Sequence, residues 1–200
     1  MEVTDAKRSL PQMEIRKAKK PSRDALAEDA RLKAFEMYFQ EYWAAIYRLL
    51  KRMVGDPAEA EDLALEAMYR LHQRQAQLEP DSNVGGWLFR VASNLGLHSI
   101  RSAQRRMRHE AAAGRAILDE SPEDRPAEIA AREEERRLAR QALAEMDPRR
   151  AELLVMRYSG MPYKEIAVAL NLSPTSIGPL LVRAEREFVE HYRRLTQEEL

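Results

Sequence analysis

"KEIAVALNLSPTSIGPLLVRAERE", Lys164 to Glu187, decides how this chain is read. Counting from the small residue Ala167, Asn171 falls four positions on, and the apolar Ile177 and Leu180 fall ten and thirteen positions on. Two helices crossing at a tight turn need that order: a small residue where they touch, a residue tolerant of left-handed φ at the turn, and apolar anchors on the second helix. Asparagine is a fair substitute for glycine at such a turn. Ile166, Leu170 and Leu172 fill the remaining inner positions, and Ser173 with Pro174 gives a cap followed by a first helical residue. The pattern predicts a helix-turn-helix with Ile177, Leu180, Leu181, Ala184 and Phe188 inside. Thr175, Ser176, Pro179, Arg183 and Arg186 then point outward, where such a helix reads bases and phosphates. In an ordinary helical hairpin the same outward residues would merely be solvated.

Gly178-Pro179 sits awkwardly in that second helix. Proline removes the hydrogen bond to the Thr175 carbonyl and crowds it, a cost of about 3 kcal/mol in a regular helix. Glycine adds up to roughly 1 kcal/mol relative to alanine. Three geometries fit: a helix from Ser173 that kinks at 179, a helix that starts only at Pro179, or a unit that has given up strong base reading. The kink fits best, because Ser173-Pro174 is itself a start signal and Ile177 keeps the core register.

The rest of the chain is patterned for helices. It has 200 residues, 44% of them hydrophobic and 33% charged, which suits long solvated helices better than a sheet. No apolar run approaches the ~18 residues of a membrane span, and the N-terminus lacks the apolar segment of a signal peptide, so the expectation is a cytoplasmic protein without membrane insertion. With no cysteine there is no disulfide framework and no thiolate metal site. His72, His98, His109 and His191 are scattered without metal-ligand spacing, and no phosphate-binding glycine loop appears. Neither a cofactor, a metal nor an enzymatic activity is expected.

The net charge of +0 is unevenly spread. Arg101 to Arg115 holds five arginines against one acid, Glu110, while "DESPED" and "REEE" make residues 119–135 acidic. A free-standing DNA binder is usually basic overall; here opposite surfaces coexist, which predicts two partners of opposite charge. Residues 1–28, with Pro11 and Pro21, read as a basic disordered tail.

The periodicity then predicts an all-α chain of two small domains, 29–110 and 127–195, joined by an acidic linker at 111–126. Phe35, Tyr38, Phe39, Tyr42, Ile46, Leu49, Leu50 and Met53 mark a first helix ended by Gly55. "DPAE" starts a second, with Asp56 as cap and Pro57 first, and a stripe of Ala60, Leu63, Ala64, Ala67 and Leu71. Glu59, Asp62 and Glu66 line another edge with Leu65 beside them, a surface fit for a basic helix, although such stripes are usually just solvated. A third helix carries Val84, Trp87, Leu88, Val91 and Leu95, and its apolar stripe stops there. Asn94, His98, Arg101, Arg105 and Arg108 share its polar edge with Arg90 nearby, fit for phosphate. Trp87 is expected to pack in the core and could also stack an unpaired base if its edge stays open. "DPRR" at Asp147 repeats the start signal, and Ser159-Gly160 ends the helix it opens.

"GDPAEAEDLALEAMYRL", "GGWLFRVASNLGLHSIRSAQRR" and "MDPRRAELLVMRYSGMPYKEIAVALNLSPTSIGPLLVRAEREF", in that order, resemble a bacterial RNA polymerase sigma factor of the extracytoplasmic-function type, which has regions 2 and 4 only. The resemblance covers about residues 30 to 195. It implies that the chain binds core RNA polymerase and directs promoter recognition, −10 melting and transcription initiation. Glu59, Asp62, Leu65 and Glu66 would dock on polymerase. Ser82, Asn83, Trp87 and Asn94 would serve the flipped −10 base and the melted strand, at an unstacking cost of a few kcal/mol. Arg90, Arg101, Arg105 and Arg106 would hold backbone phosphate, and Ser173, Thr175, Ser176, Pro179 and Arg183 would meet the −35 duplex. An anti-sigma factor is among the partners the family admits. Two positions depart from the family pattern: Leu65 replaces a usual glutamine, and His98 replaces a usual aspartate. The alternatives are a helix-turn-helix regulator that works without polymerase and a sigma-like interaction protein that initiates nothing.

Overall fold

The computed structural model describes residues 23–77, 82–112 and 127–198. Residues 78–81, most of the expected linker (113–126) and most of the N-terminal tail lie outside these. The described residues form α-helices and one short 3-10 turn, Gln75–Gln77, with no strand among them. The helices are α1 (Arg23–Val54), α2 (Pro57–Arg74), α3 (Val84–Ala112), α4 (Ala127–Glu145), α5 (Pro148–Tyr158), α6 (Tyr163–Leu170) and α7 (Pro174–Glu198).

α1 starts at Arg23, inside the stretch read as tail. Its first turns hold no apolar stripe; opposite charges one turn apart support them instead, as in the Lys33–Asp29 pair at 2.6 Å. Further along, the side chains go inward: Phe35 and Phe39 are half-buried, Ile46 and Leu50 fully buried. Phe39, Trp43 and Tyr47 stack one turn apart, with ring centroids 4.9 and 6.3 Å from their neighbours.

α2 starts as its sequence predicts. Asp56 accepts from the Glu59 N–H at 2.8 Å and Pro57 opens the helix. Met68, one position off the expected stripe, joins Ala60, Ala64, Ala67 and Leu71 in the core.

On α3 the buried stripe does not stop at Leu95. It runs Val84, Leu88, Ala92, Gly96, Ile100, with Leu97 buried beside it. Small residues hid this continuation, because alanine and glycine carry little apolar signal. Their smallness is what the packing uses. A Cβ on Gly96 would stand 2.7 Å from the Met53 methyl and 3.2 Å from Leu50 Cδ2, and one on Gly85 would meet the Tyr42 ring at 3.0 Å. α1 thus lies close against α3 at two points.

In the C-terminal unit Asp147 caps α5, accepting from the N–H groups of Arg149 and Arg150 at 3.1 and 3.2 Å. Gly160 follows the end of α5 with φ +94°, and the Met161 N–H returns to the Met156 carbonyl. α6 and α7 then meet at 92°, within the range of a helix-turn-helix. Asn171 takes the left-handed conformation at φ 54°, ψ 50°, and the Leu172 N–H closes on the Ala167 carbonyl at 2.8 Å. Ala167, Ile166 and Ile177 are buried as expected, but Leu180 and Leu170 are only half-buried. Leu172, expected inside, is exposed, because its backbone serves the turn and its side chain leaves it. The Ser173 hydroxyl pairs with the Thr175 hydroxyl at 2.8 Å, while its carbonyl accepts from Ser176.

α7 begins at Pro174 and continues through Pro179, so a start delayed to Pro179 is not what the chain adopts. Pro179 is exposed in the second turn, where the lost bond frees one carbonyl, that of Thr175.

The two units are not separate bodies. α3 packs on α4, α5 and α6, and one apolar cluster runs from Ile46 and Leu88 to Ile166 and Ala184.

Gly178 and Gly160 behave oppositely in this frame. A Cβ at Gly178 meets nothing within 4 Å and the residue is helical, so Gly178→Ala should raise stability by up to about 1 kcal/mol, or roughly 2–4 °C in Tm. Gly160→Ala also finds open space but is strained by its positive φ, and should lower Tm. Thermal melts of the two variants check both signs.

Candidate polymerase and nucleic-acid surfaces

On α2, Asp62, Leu65 and Glu66 lie outside the core, with Leu65 48% exposed. Tyr69, seven residues after Asp62, extends the same face at 56% exposure. The Leu65–Tyr69 pair makes an apolar strip one turn long, flanked by Asp62 and by Glu66, which holds Arg70 at 2.7 Å. Sequence reading missed Tyr69, although its i+4 spacing from Leu65 was visible. Glu59 does not belong to this face: it is half-buried and accepts from the Ser99 hydroxyl, tying α2 to α3.

Much of the polar edge of α3 is occupied. Asn83 caps the helix, its Oδ1 accepting from the Gly86 N–H at 2.8 Å. The amide lies so close that a Cβ on Gly86 would stand 2.5 Å from Asn83 Nδ2. Asn83 is thereby committed to backbone, not poised in an open pocket, and Ser82 beside it is half-buried. Trp87 is half-buried as core, and the Arg74 guanidinium covers its ring at 5.4 Å.

Further along, α3 turns its donors to the C-terminal unit. Asn94 Nδ2 donates to Glu152 Oε1 at 2.9 Å, and Arg90 lies 3.4 Å from the same oxygen while donating to the Ala169 carbonyl at 3.1 Å. Arg101 donates to the carbonyls of Ala144 and Met146 at 3.2 and 3.4 Å. Gln104 and Arg108 converge on Glu145 Oε1 at 3.1 and 2.8 Å. Arg105 donates to the Ser102 hydroxyl, and Arg105, Arg106 and His98 are exposed.

Glu152 is the acid at the centre of this contact. Its side chain is 7% exposed. Burial pushes its carboxyl up from the ordinary range, while Arg90 and Asn94 act in the opposite direction. An acid inside the buried run Ala151–Met156 was a readable sign of a dedicated partner.

The outer face of α7 is open. Thr175, Pro179, Arg183 and Arg186 are exposed and Ser176 is half-buried. Elsewhere α1 faces α4, α5 and α7 across a groove of about 700 Å³, walled by Leu49, Met53, Leu143 and Phe188. Arg140 stands at this groove beside Gly55, its pKa lowered by burial and by Arg136 and Arg137. Among the described residues no group of three acids or histidines is placed to hold a metal ion, and no single helix is long and apolar enough to cross a membrane.

Sigma-70 region 2 matches residues 38–106 and Sigma-70 region 4 matches residues 136–188. The RNA polymerase sigma-E factor of Streptomyces coelicolor is 30% identical over 151 residues, covering 75% of this chain and 81% of that one. The chain belongs to the extracytoplasmic-function RNA polymerase sigma factors.

The ECF sigma factor SigL of Mycobacterium tuberculosis is 29% identical over 178 residues, covering 88% of this chain and 94% of that protein. Identity is higher, 34% over 131 residues, to a probable sigma factor, RfaY, of Xanthomonas campestris, but this sigma factor spans only 33% of its length. The fold is that of RpoE from Bartonella quintana, solved with the anti-sigma factor NepR: TM-score 0.50, 20% identity, covering 80% of this chain and 98% of that one. Region 2 is therefore α1–α3, and region 4 lies within α4–α7.

Two substitutions separate architecture from DNA contact on α3. Asn83→Ala should lower stability by about 1 kcal/mol through the lost cap. Asn94→Ala strips a donor from a buried carboxylate and should cost about 1–3 kcal/mol. Urea denaturation of the free protein checks both; unchanged midpoints would mean that neither bond is held in solution.

Proposed function

We propose that this chain binds core RNA polymerase and selects promoters, docking through α2, holding the melted −10 strand along α3 and reading the −35 duplex with α7. The observation that carries the reading is the pairing of two exposed surfaces in sigma-family order. One is the acidic and apolar face of Asp62, Leu65, Glu66 and Tyr69; the other is the open outer face of α7. The first suits a basic helical partner and the second suits duplex DNA.

The roles divide by chemistry. Leu65 and Tyr69 supply the desolvated centre of the polymerase contact, with Asp62 and Glu66 as its charged rim. Arg105 and Arg106 hold phosphate, joined by Arg90, Arg101 and Asn94 once these leave their partners in region 4. Thr175, Ser176 and Arg183 read the −35 bases, and Pro179 offers an apolar contact to a thymine methyl. The protein acts in the cytoplasm, where polymerase and promoters are. An anti-sigma factor is a further partner, a reading supported by the Bartonella protein's having been solved with one.

Run-off transcription with the purified chain, bacterial core polymerase and fragmented genomic DNA, followed by sequencing of transcript starts, tests this. Discrete starts sharing an upstream motif are expected. Leu65→Asp should weaken core binding about tenfold or more, as loss of a central contact does. Thr175→Ala and Ser176→Ala should relax preference at individual −35 positions, each by about 1–3 kcal/mol if the contact is bidentate. Equal loss of binding to all −35 sequences would remove base reading from α7. No starts and no core binding would sink the reading and favour a helix-turn-helix regulator.

A further inference from the structure

The groove between α1 and the helices α4, α5 and α7 joins an apolar floor to a cationic edge. Leu49 and Met53 of α1 and Leu154 and Val155 of α5 are core residues that reach its floor, and Val189 of α7 stands on its wall 41% exposed. Its volume of about 700 Å³ is that of a small-molecule cleft, typically about 300–1,000 Å³. Three arginines meet the same space: Arg52 from the last turn of α1, and Arg136 and Arg140 one turn apart on α4.

These arginines differ from those around them. Arg70, Arg108, Arg137 and Arg150 each hold a carboxylate, of Glu66, Glu145, Glu134 and Glu187 in turn. Among the described residues no acid lies within 4.0 Å of Arg52, Arg136 or Arg140, and none of the three donates a hydrogen bond. Arg52 and Arg136 are exposed to water, but Arg140 is half-buried. Its guanidinium lies against Gly55, where a Cβ would stand 3.0 Å from Nη1. Burial and the neighbouring Arg136 and Arg137 lower its pKa, with no acid acting in the opposite direction. The end of α1 beside it favours a cation through the helix dipole, yet no carbonyl there accepts from it. Glu185, the one acid among the described lining residues, accepts from the Tyr158 hydroxyl at 3.3 Å instead. A half-buried cation left without a partner costs free energy, which an anion brought to it would offset.

We propose that the groove binds a single-chain amphiphilic anion, an acyl carboxylate whose chain lies over Leu49, Leu143, Leu154 and Phe188 and whose head group is held by Arg136 and Arg140, with Arg52 beside them. Both halves are needed. Burial of the chain gives affinity, and the guanidinium groups, which pair with a carboxylate through parallel N–H···O bonds, select its charge. The volume favours such a ligand over a protein segment, because an α-helix about 10–12 Å across would fill it in less than about two turns. Since the walls come from α1 on one side and α4, α5 and α7 on the other, an occupant holds these elements together and stabilises the fold it binds. The site does not depend on polymerase or promoter binding, so a failed run-off assay leaves it standing.

Calorimetric titration of the full-length chain with dodecanoate, kept below its micellar concentration, tests this. Acetate, which has the head without the chain, and dodecylammonium, which has the chain with the opposite charge, are titrated beside it. Dodecanoate should bind one to one and raise Tm by several degrees when present at a large excess over its Kd. Acetate should give no heat of binding, and dodecylammonium should bind at least about tenfold more weakly. Arg136→Gln, at an exposed position, should weaken dodecanoate about tenfold, the worth of one charge-assisted hydrogen bond, and leave dodecylammonium no weaker. Arg140→Gln should carry opposite signs: loss of a half-buried unpaired cation raises the Tm of the free chain, while affinity for dodecanoate falls about tenfold. If Arg140→Gln loses helix by circular dichroism, Arg52→Gln, also at an exposed position, repeats the affinity test. Equal binding of the two dodecyl ligands, or dodecanoate affinity unchanged in Arg136→Gln and in the second arginine variant, would reduce the site to an apolar gap and overturn the proposal. Absence of dodecanoate binding would overturn it too, whether sedimentation then gives the groove to a second copy of the chain or titration gives it to an acidic leucine–glutamate peptide.

Discussion

The Glu152 carboxylate lies inside a packed helix bundle and can stay there only if donors are brought to it. That requirement fixes how the two units meet. Arg90 and Asn94 are one turn apart on α3, so both reach the same carboxylate oxygen only when α5 lies along that edge. With α5 placed, the end of α4 comes within reach of Arg101, and Glu145 within reach of Gln104 and Arg108. Breaking such a pair by removing one partner costs more than the pair itself contributes, since a lone buried charge remains. The contact therefore imposes geometry more than it adds stability.

α3 is the element on which both units depend, and its sequence serves two masters. One stripe, through Leu88, Ala92, Gly96 and Ile100, is small enough to let α1 come close. The other edge is polar and basic along most of its length. A helix with bulky residues on the first stripe would push α1 away; one with fewer donors on the second would leave Glu152 uncompensated. Trp87 sits between the two, half-buried in the core and roofed by Arg74. Any role in stacking a base requires that guanidinium to move.

How much of this was legible follows from what each signal measures. Start signals built from one residue and its own backbone, such as Asp56-Pro57 and Asp147-Pro148, came through because capping is local. The left-handed turn at Asn171 came through because its spacing from Ala167 and Ile177 is also local. Gly96 and Ala92 stayed hidden, since a hydrophobicity pattern counts apolar mass and these residues matter for lacking it. The commitments of Glu59, Asn83 and Asn94 were partly or wholly invisible. Asn83 followed by Val84-Gly85-Gly86 could have been read as a cap, whereas Ser99 for Glu59 and Glu152 for Asn94 are 40 and 58 residues away. Sequence places such side chains on a face but does not say what that face meets.

The proline inside α7 has a physical reading. α7 starts at Pro174, so the N–H missing at Pro179 is the one that would have bonded to the Thr175 carbonyl, leaving an acceptor at an exposed position. Ile177, fully buried on the opposite side, anchors the first turn while that bond is absent, and Leu181 and Ala184 take over beyond it. Gly178 meets no neighbour and allows the turn to adjust. The core side of the helix is therefore held at every turn, and the missing hydrogen bond falls on the side that faces outward. A helix breaker is tolerable there because the tertiary contacts of Ile177 and Leu181, rather than a continuous hydrogen-bond ladder, keep the helix in place.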